Sequence, residues 1–167
     1  LFDFSQKFID EYFPYCVEMA RAFVQPKYQS AQAGRKALFA LDNLWDGIGG
    51  LVATDPSVKY LSGKVTIYSS SPELSRKAMI YYLDKHFGDR EGLITSKNPE
   101  RWTDEQEEYF NEMFNGANYK EDYLILNNYV KSFGDVIPPL IHSYIGLSET
   151  MKTFGTTFDP DFGDCYD

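Results

Sequence analysis

The chain is poor in the residues that build metal and redox centres, with two cysteines and two histidines in 167 residues. Cys16 and Cys165 stand near opposite ends, without a CxxC pair or the Cys/His spacing of a zinc site, and read as free thiols rather than a disulfide. No apolar run approaches the roughly 20 residues of a membrane span, and no signal-peptide pattern is visible, so the expected location is cytoplasmic. Base is scarce too: 16 Lys and Arg stand against 25 Asp and Glu, for a net charge of -9. That balance excludes non-specific nucleic-acid binding, which needs a basic surface to displace counterions. Internal repeats and low-complexity tracts are also missing. What remains is 43% hydrophobic and 17% aromatic, which excludes disorder, in a length that suits one domain with a real core. Because the chain opens straight into Leu1-Phe2-Asp3-Phe4 and closes just after a strand-like segment, we expect residues 1–167 to be a single domain forming the C-terminal part of a longer polypeptide.

The most informative absence is local. From Ala20 to Ala40 there is no acid, while Arg21, Lys27, Arg35 and Lys36 are all basic. The run from Val17 to Val24 reads as a strand carrying Glu18 and Arg21, which emerge on opposite faces unless a bulge intervenes. Pro26 ends it. A polar turn from Gln29 to Gly34 then leads into a helix whose first turn holds Arg35 and Lys36. Strand, turn and helix N-terminus with local positive charge form an anion cradle, because unpaired N–H groups and the helix dipole both favour a negative ligand. This predicts a phosphate-bearing donor.

Leu38, Leu41, Trp45, Ile48 and Val52 recur at steps of three and four and predict a helix from Ala33 to about Ala53. Gly47, Gly49 and Gly50 either end it early or mark close packing against another backbone, and we favour packing. Val58 to Tyr68 reads as a strand with a bulge at Gly63. Ser71-Pro72-Glu73 has the chemistry of a serine-capped helix start, with Leu74, Ala78, Tyr81 or Tyr82 and Phe87 inward and Gly88 as the stop. Thr103 to Gln106 is a capping-box pattern opening a helix with Tyr109, Phe110, Met113 and Phe114 inward. A further helix runs from Lys120 to Phe133, and the pair reads as a helical insertion or lid. After Pro138-Pro139 come a short segment, Leu140 to Leu147, and an expected strand from Met151 to Phe158. The order predicts α/β or α+β with one main sheet.

Glu18-x-x-Arg21-x-x-Val24-x-Pro26-x-Tyr28, Leu44-Trp45-x-Gly47-Ile48, Tyr60-Leu61-x-Gly63, and Ile137-Pro138-Pro139-Leu140 followed by Tyr144, Leu147 and Phe162-Gly163-Asp164 occur in this order. Together they resemble bacterial N-acyltransferases of the ornithine-lipid and glycine-lipid type, in the GNAT superfamily, which are similar to acyl-homoserine-lactone synthases and often carry a hemolysin label. The resemblance covers nearly the whole chain. It implies an α+β, GNAT-type acyl-CoA N-acyltransferase fold: a mixed central sheet flanked by helices, with a C-terminal helical insertion and the N-terminal strands lying ahead of Leu1. It also implies transfer of a fatty or 3-hydroxy-fatty acyl group from an acyl carrier protein, or from coenzyme A, to the amine of an amino acid, giving an N-acyl amino acid lipid. No tightly bound cofactor and no metal are implied; the phosphopantetheine or coenzyme A thioester is substrate.

In that setting the thioester lies beside the strand, against Phe23 and Val24, and its phosphates meet Gln29, Gln32, Gly34, Arg35 and Lys36. The superfamily's loop has glycine where this chain has Gln32. A side chain there crowds the backbone approach that a pyrophosphate needs, which favours the single phosphodiester of a carrier-protein arm. The carrier is acidic, so Lys27, Arg35 and Lys36 would steer it. Glu18 is the candidate general base, with a structural carboxylate paired to Arg21 as the alternative. Arg21 orients Glu18 or holds the acceptor's carboxylate, since a guanidinium stays charged. Arg35 and Lys36 are either phosphate ligands or a solvated face, Trp45 is core or acyl-channel lining, and Tyr144 with His142 are candidate acids facing the thioester in a chain where tyrosine is abundant. His86, in a last helical turn, complements the dipole and needs no catalytic role. Two readings stay open beside the enzyme: a hemolysin-like lipid-binding protein with peripheral membrane contact, and a non-catalytic GNAT-like module that binds an acidic partner.

Overall fold

A computed structural model of the chain describes residues 1–20, 25–26, 40–148 and 150–167. Its elements are β1 (Phe2–Phe4), β2 (Cys16–Glu18), α1 (Ala40–Thr54), β3 (Tyr60–Ser62), β4 (Ile67–Tyr68), α2 (Glu73–Phe87), β5 (Ile94–Ser96), α3 (Asp104–Met113), α4 (Tyr119–Ser132), α5 (Pro139–Leu147), β6 (Phe158–Asp159) and β7 (Cys165–Tyr166). They fall into two compact units, Ile9–Lys64 and the remainder, Leu1–Phe8 with Val65–Asp167. The described strands form three small sheets, β1-β5, β2-β3 and β4-β7-β6, where the element order had led us to expect one main sheet.

In the Ile9–Lys64 unit, a π-helical turn (Phe8–Tyr12) and a 3-10 turn (Phe13–Tyr15) that carries Pro14 in its first turn deliver the chain into β2. β2 pairs in parallel with β3. Only Cys16–Glu18 of the expected Val17 to Val24 strand is described as strand, and residues 21–24 lie outside the described residues. The expected Val58 to Tyr68 strand is not one element. It breaks between Ser62 and Ile67, and the two pieces pair with different partners, β3 with β2 and β4 with β7. On α1, Trp45 and Ile48 are half-buried. Among the described residues nothing lies within 4 Å of a Cβ placed on Gly47, Gly49 or Gly50, so among those residues the close packing expected of these glycines is not found. Beyond them Thr54 Oγ1 donates to the Gly50 and Leu51 carbonyls, and Asp55-Pro56 follows.

The second unit is built around α2. Ala78, Met79 and Tyr82 are buried against Phe110 of α3, Phe114 just beyond it, Leu126 and Val130 of α4, and Ile141 and Ile145 of α5. α3 and α4 are therefore walls of this unit's core, not a lid over it. Tyr82 donates its hydroxyl to the Tyr119 carbonyl at 2.9 Å, and burial holds its phenol far above the ordinary range, so it stays a neutral donor. α2 buries charge as well. The Arg76 guanidinium lies over the Tyr166 ring, 4.0 Å from its centroid, with Nε 3.4 Å from Glu100. Lys77 reaches Glu73 at 2.8 Å and Gln106 at 3.1 Å. That burial explains why the helix's apolar stripe is weak in sequence; Leu74, expected inward, is exposed. Ser71 is not the cap either. No side chain caps α2, and both Ser71 and Ser75 donate their hydroxyls to Asp135 Oδ2.

α3 starts as its sequence predicts. Gln106 N–H donates to Thr103 Oγ1 at 3.2 Å, and Thr103 N–H donates to Gln106 Oε1 at 3.1 Å. Thr103→Ala removes the hydroxyl that accepts from Gln106 N–H and leaves the reciprocal backbone donor in place, so it should lower stability by about 1 kcal/mol. Urea denaturation checks this, and an unchanged midpoint would show that the box contributes nothing. Tyr109, expected inward, is exposed. α4 opens on Asn118, whose side chain accepts from the N–H groups of Lys120 and Glu121, and it is followed by Gly134 at φ +72°. Of the expected Met151 to Phe158 strand only Phe158 lies in one, as the first residue of β6. Before it the chain bonds to loops: Thr153 N–H donates to the Phe87 carbonyl at 2.8 Å and its own carbonyl accepts from Asp89 N–H at 2.9 Å.

Candidate active site

Strand alternation sorts the β2-β3 pair into two faces. Cys16 is opposite Tyr60, Val17 opposite Leu61 and Glu18 opposite Ser62. One face thus carries Val17 and Leu61, and the other carries a thiol, a phenol, a hydroxyl and the Glu18 carboxylate. Met19 N–H donates to the Ser62 carbonyl at 2.7 Å and Lys59 N–H to the Tyr15 carbonyl at 3.0 Å, which fixes the register at both ends. Tyr60 packs on Tyr12 with ring centroids 5.0 Å apart, and Lys59 Nζ sits 4.1 Å from the centre of the Tyr15 ring. Glu18 is exposed, Cys16 and Ser62 half-buried. Among the described residues β2 has one strand partner, and neither the Glu18 carboxylate nor the Ser62 hydroxyl has a hydrogen-bond partner. A carboxylate at a strand's end, held in register and left unpaired, can accept a proton from a bound ammonium.

The other expected site residues are distributed unevenly. Arg21, Phe23, Val24, Gln29, Gln32, Gly34, Arg35 and Lys36 lie outside the described residues, as does Lys27. Trp45 is half-buried on α1, in the same unit as Glu18. Tyr144 is half-buried on α5 in the other unit, and burial raises its phenol above the ordinary value, so it holds its proton more tightly. His142 faces Tyr123, with Nδ1 3.0 Å from the phenol oxygen.

A second constellation, in the larger unit, was not foreseen from the sequence. Asp122 is fully buried on α4. Its Oδ2 lies 2.7 Å from His86 Nε2 and 3.4 Å from Lys85 Nζ, and its Oδ1 accepts from Gly116 N–H at 2.7 Å. Burial works to raise the Asp122 pKa, but the Gly116 N–H, His86 and Lys85 outweigh it and hold the carboxyl below its usual value. Lys85 also donates to the Phe114 carbonyl, so the cluster ties the turn after α3 to the last turn of α2. A Cβ at Gly116 would come within 2.8 Å of Asp122 Oδ1, which is why glycine occupies that turn. His86 therefore does more than complement a dipole. Partners 36 residues apart leave no local signal, and only the fold brings them together. Every acceptor on Asp122 is used, and the cluster reads as a structural clamp.

One shallow recess of about 510 Å³ lies beside α3, lined by Tyr81, Asp104, Glu107, Glu108 and Asn111. Its three carboxylates would repel a phosphate-bearing donor. Among the described residues no group of three or more His, Cys, Asp or Glu could hold a metal ion, neither cysteine is in a disulfide, and no helix is long and apolar enough to cross a membrane.

No family model and no solved structure matches the chain. Curated proteins do. It is 48% identical over 165 residues to a glycine N(alpha)-acyltransferase of Phocaeicola vulgatus, a match that takes in 98% of this chain and 50% of that protein. It is likewise 48% identical over 164 residues to a glycine N(alpha)-acyltransferase of Bacteroides thetaiotaomicron, covering 98% of this chain and 48% of that protein. The chain thus spans about half the length of the curated relatives it matches, and along nearly all of its own length it is similar to glycine N(alpha)-acyltransferases.

Proposed function

We propose that this chain is part of an N-acyltransferase that moves a fatty or 3-hydroxy-fatty acyl group from a thioester, on an acyl carrier protein or coenzyme A, to the α-amino group of glycine. The product is an N-acyl amino acid lipid. The observation that carries this reading is the 48% identity, over 98% of the chain, to two proteins of that name. At that identity, over that length, the same backbone is expected. The GNAT-type fold belongs to the same proposal, with the strand at Glu18 as its centre.

The chemistry asks little of the protein beyond orientation, a base and an oxyanion donor. Glycine arrives as an ammonium, and Glu18 accepts one of its protons. The freed amine attacks the thioester carbonyl, a C–N bond forms, the C–S bond breaks, and the second N–H proton ends on the departing thiol. An exposed carboxylate at the end of a strand, with no partner among the described residues, supports that role for Glu18. Arg21 and residues 29–36 are proposed as its partner and as the phosphate cradle.

The test is to incubate the intact protein with an acyl-carrier thioester and isotopically labelled glycine, and to identify products by mass spectrometry. A labelled N-acylglycine is expected. Acylation of a different amine would change the acceptor, and no N-acyl product from folded protein would remove the reading.

A further inference from the structure

The face that carries Glu18 holds a second group suited to the same small acceptor. In the register of β2 and β3, Ser62 is directly opposite Glu18, and the Met19 to Ser62 bond of 2.7 Å leaves that register no slack. Neighbouring strands lie about 4.8 Å apart, whereas two residues along one strand span about 6.6 Å, so the Ser62 side chain starts nearer to Glu18 than that of Cys16 does. Both polar groups of the pair are unengaged among the described residues. Tyr60, by contrast, is packed on Tyr12.

We propose that Ser62 is an acceptor-binding residue whose hydroxyl donates to the carboxylate of glycine while Glu18 receives its ammonium. This rests on the N-acyltransferase reading above and deepens it. Glycine has no side chain to grip, so a site must recognise it by its two charged ends, which lie on one carbon. A site that holds both ends needs a donor and an acceptor about one strand spacing apart, which is what this pair provides. The chemistry of the donor matters as well. A neutral hydroxyl can donate to a carboxylate without adding a second charge to the pair.

The experiment measures steady-state kinetics of the intact protein with glycine and the acyl donor varied separately. Ser62→Ala should raise the KM for glycine about tenfold, the loss expected for one hydrogen bond to a charged group, while kcat and the donor's KM stay within about twofold. Ser62→Thr, which keeps the hydroxyl and suits a strand, should restore the glycine KM. A merely structural role would instead shift the melting temperature of Ser62→Ala or move both KM values together. An unchanged glycine KM in an active Ser62→Ala enzyme would overturn the assignment and leave the N-acyltransferase reading standing. Wild-type protein that makes no N-acylglycine would remove both.

Discussion

Glu18→Gln should reduce kcat for N-acylglycine formation by about 10²–10⁴-fold, the range lost when a positioned general base is removed, with thermal stability unchanged. The two readings of Glu18 predict different consequences. If the carboxylate is a base, glutamine keeps its shape and its hydrogen-bonding oxygen but cannot take the ammonium proton, so rate falls and folding does not. If the carboxylate is structural, the loss appears in stability and turnover follows only through the amount of folded protein. The first is the one proposed. Glu18 is exposed and has no ion pair among the described residues, and exposed substitutions of this kind shift stability by no more than about 0.5 kcal/mol. Single-turnover measurement with pre-bound acyl donor separates the proton-transfer step from product release. A Glu18→Gln enzyme with a wild-type rate would exclude the base and return Glu18 to the role of a surface carboxylate. Ser62→Ala offers the internal control, because its expected defect is in glycine binding and not in turnover.

How far the chain could be read before folding depended on how local each signal was. The capping box at Thr103 and Gln106 is written within a few residues, and it is found where expected. Ser71 has the same local chemistry as a cap yet bonds to Asp135, 64 residues away, because a charged acceptor brought in by the fold outcompetes the helix's own N–H groups. The inward faces failed at Leu74 and Tyr109 for a related reason. α2 buries Arg76 and Lys77 on carboxylates and an aromatic ring, so its interior face cannot be found from apolar spacing. The lid reading of α3 and α4 treated a run of helices as peripheral, whereas Phe110, Phe114, Leu126 and Val130 are among the most buried side chains in the core. At the candidate site, Glu18 was legible as a carboxylate on a strand. Its neighbour Ser62 was not, because parallel register is a property of two distant segments.

Asp122→Ala should cost about 3 kcal/mol of stability, measured by urea denaturation with an unchanged slope. Removing the carboxylate strands three donors at once: His86 Nε2, Lys85 Nζ and Gly116 N–H. The low end of the range for a broken buried pair applies because the Lys85 side chain is 30% exposed and can recover some water. Asp122→Asn isolates the charge, since its side-chain oxygen still accepts from one of these donors, and should cost about half as much. The pH dependence has a definite sign. The folded pKa of Asp122 is lowered, so its contribution is complete above the unfolded value of about 3.9 and is lost as pH falls through the folded value. The gap between wild type and Asp122→Asn should therefore persist down to about pH 4 and close as pH falls further through the folded value. A gap that persists into stronger acid would mean that the ionised carboxylate is not what holds the turn. A cost below about 1 kcal/mol for Asp122→Ala would mean that the clamp between α2 and α4 is carried by the Tyr82 to Tyr119 bond and the aromatic packing alone.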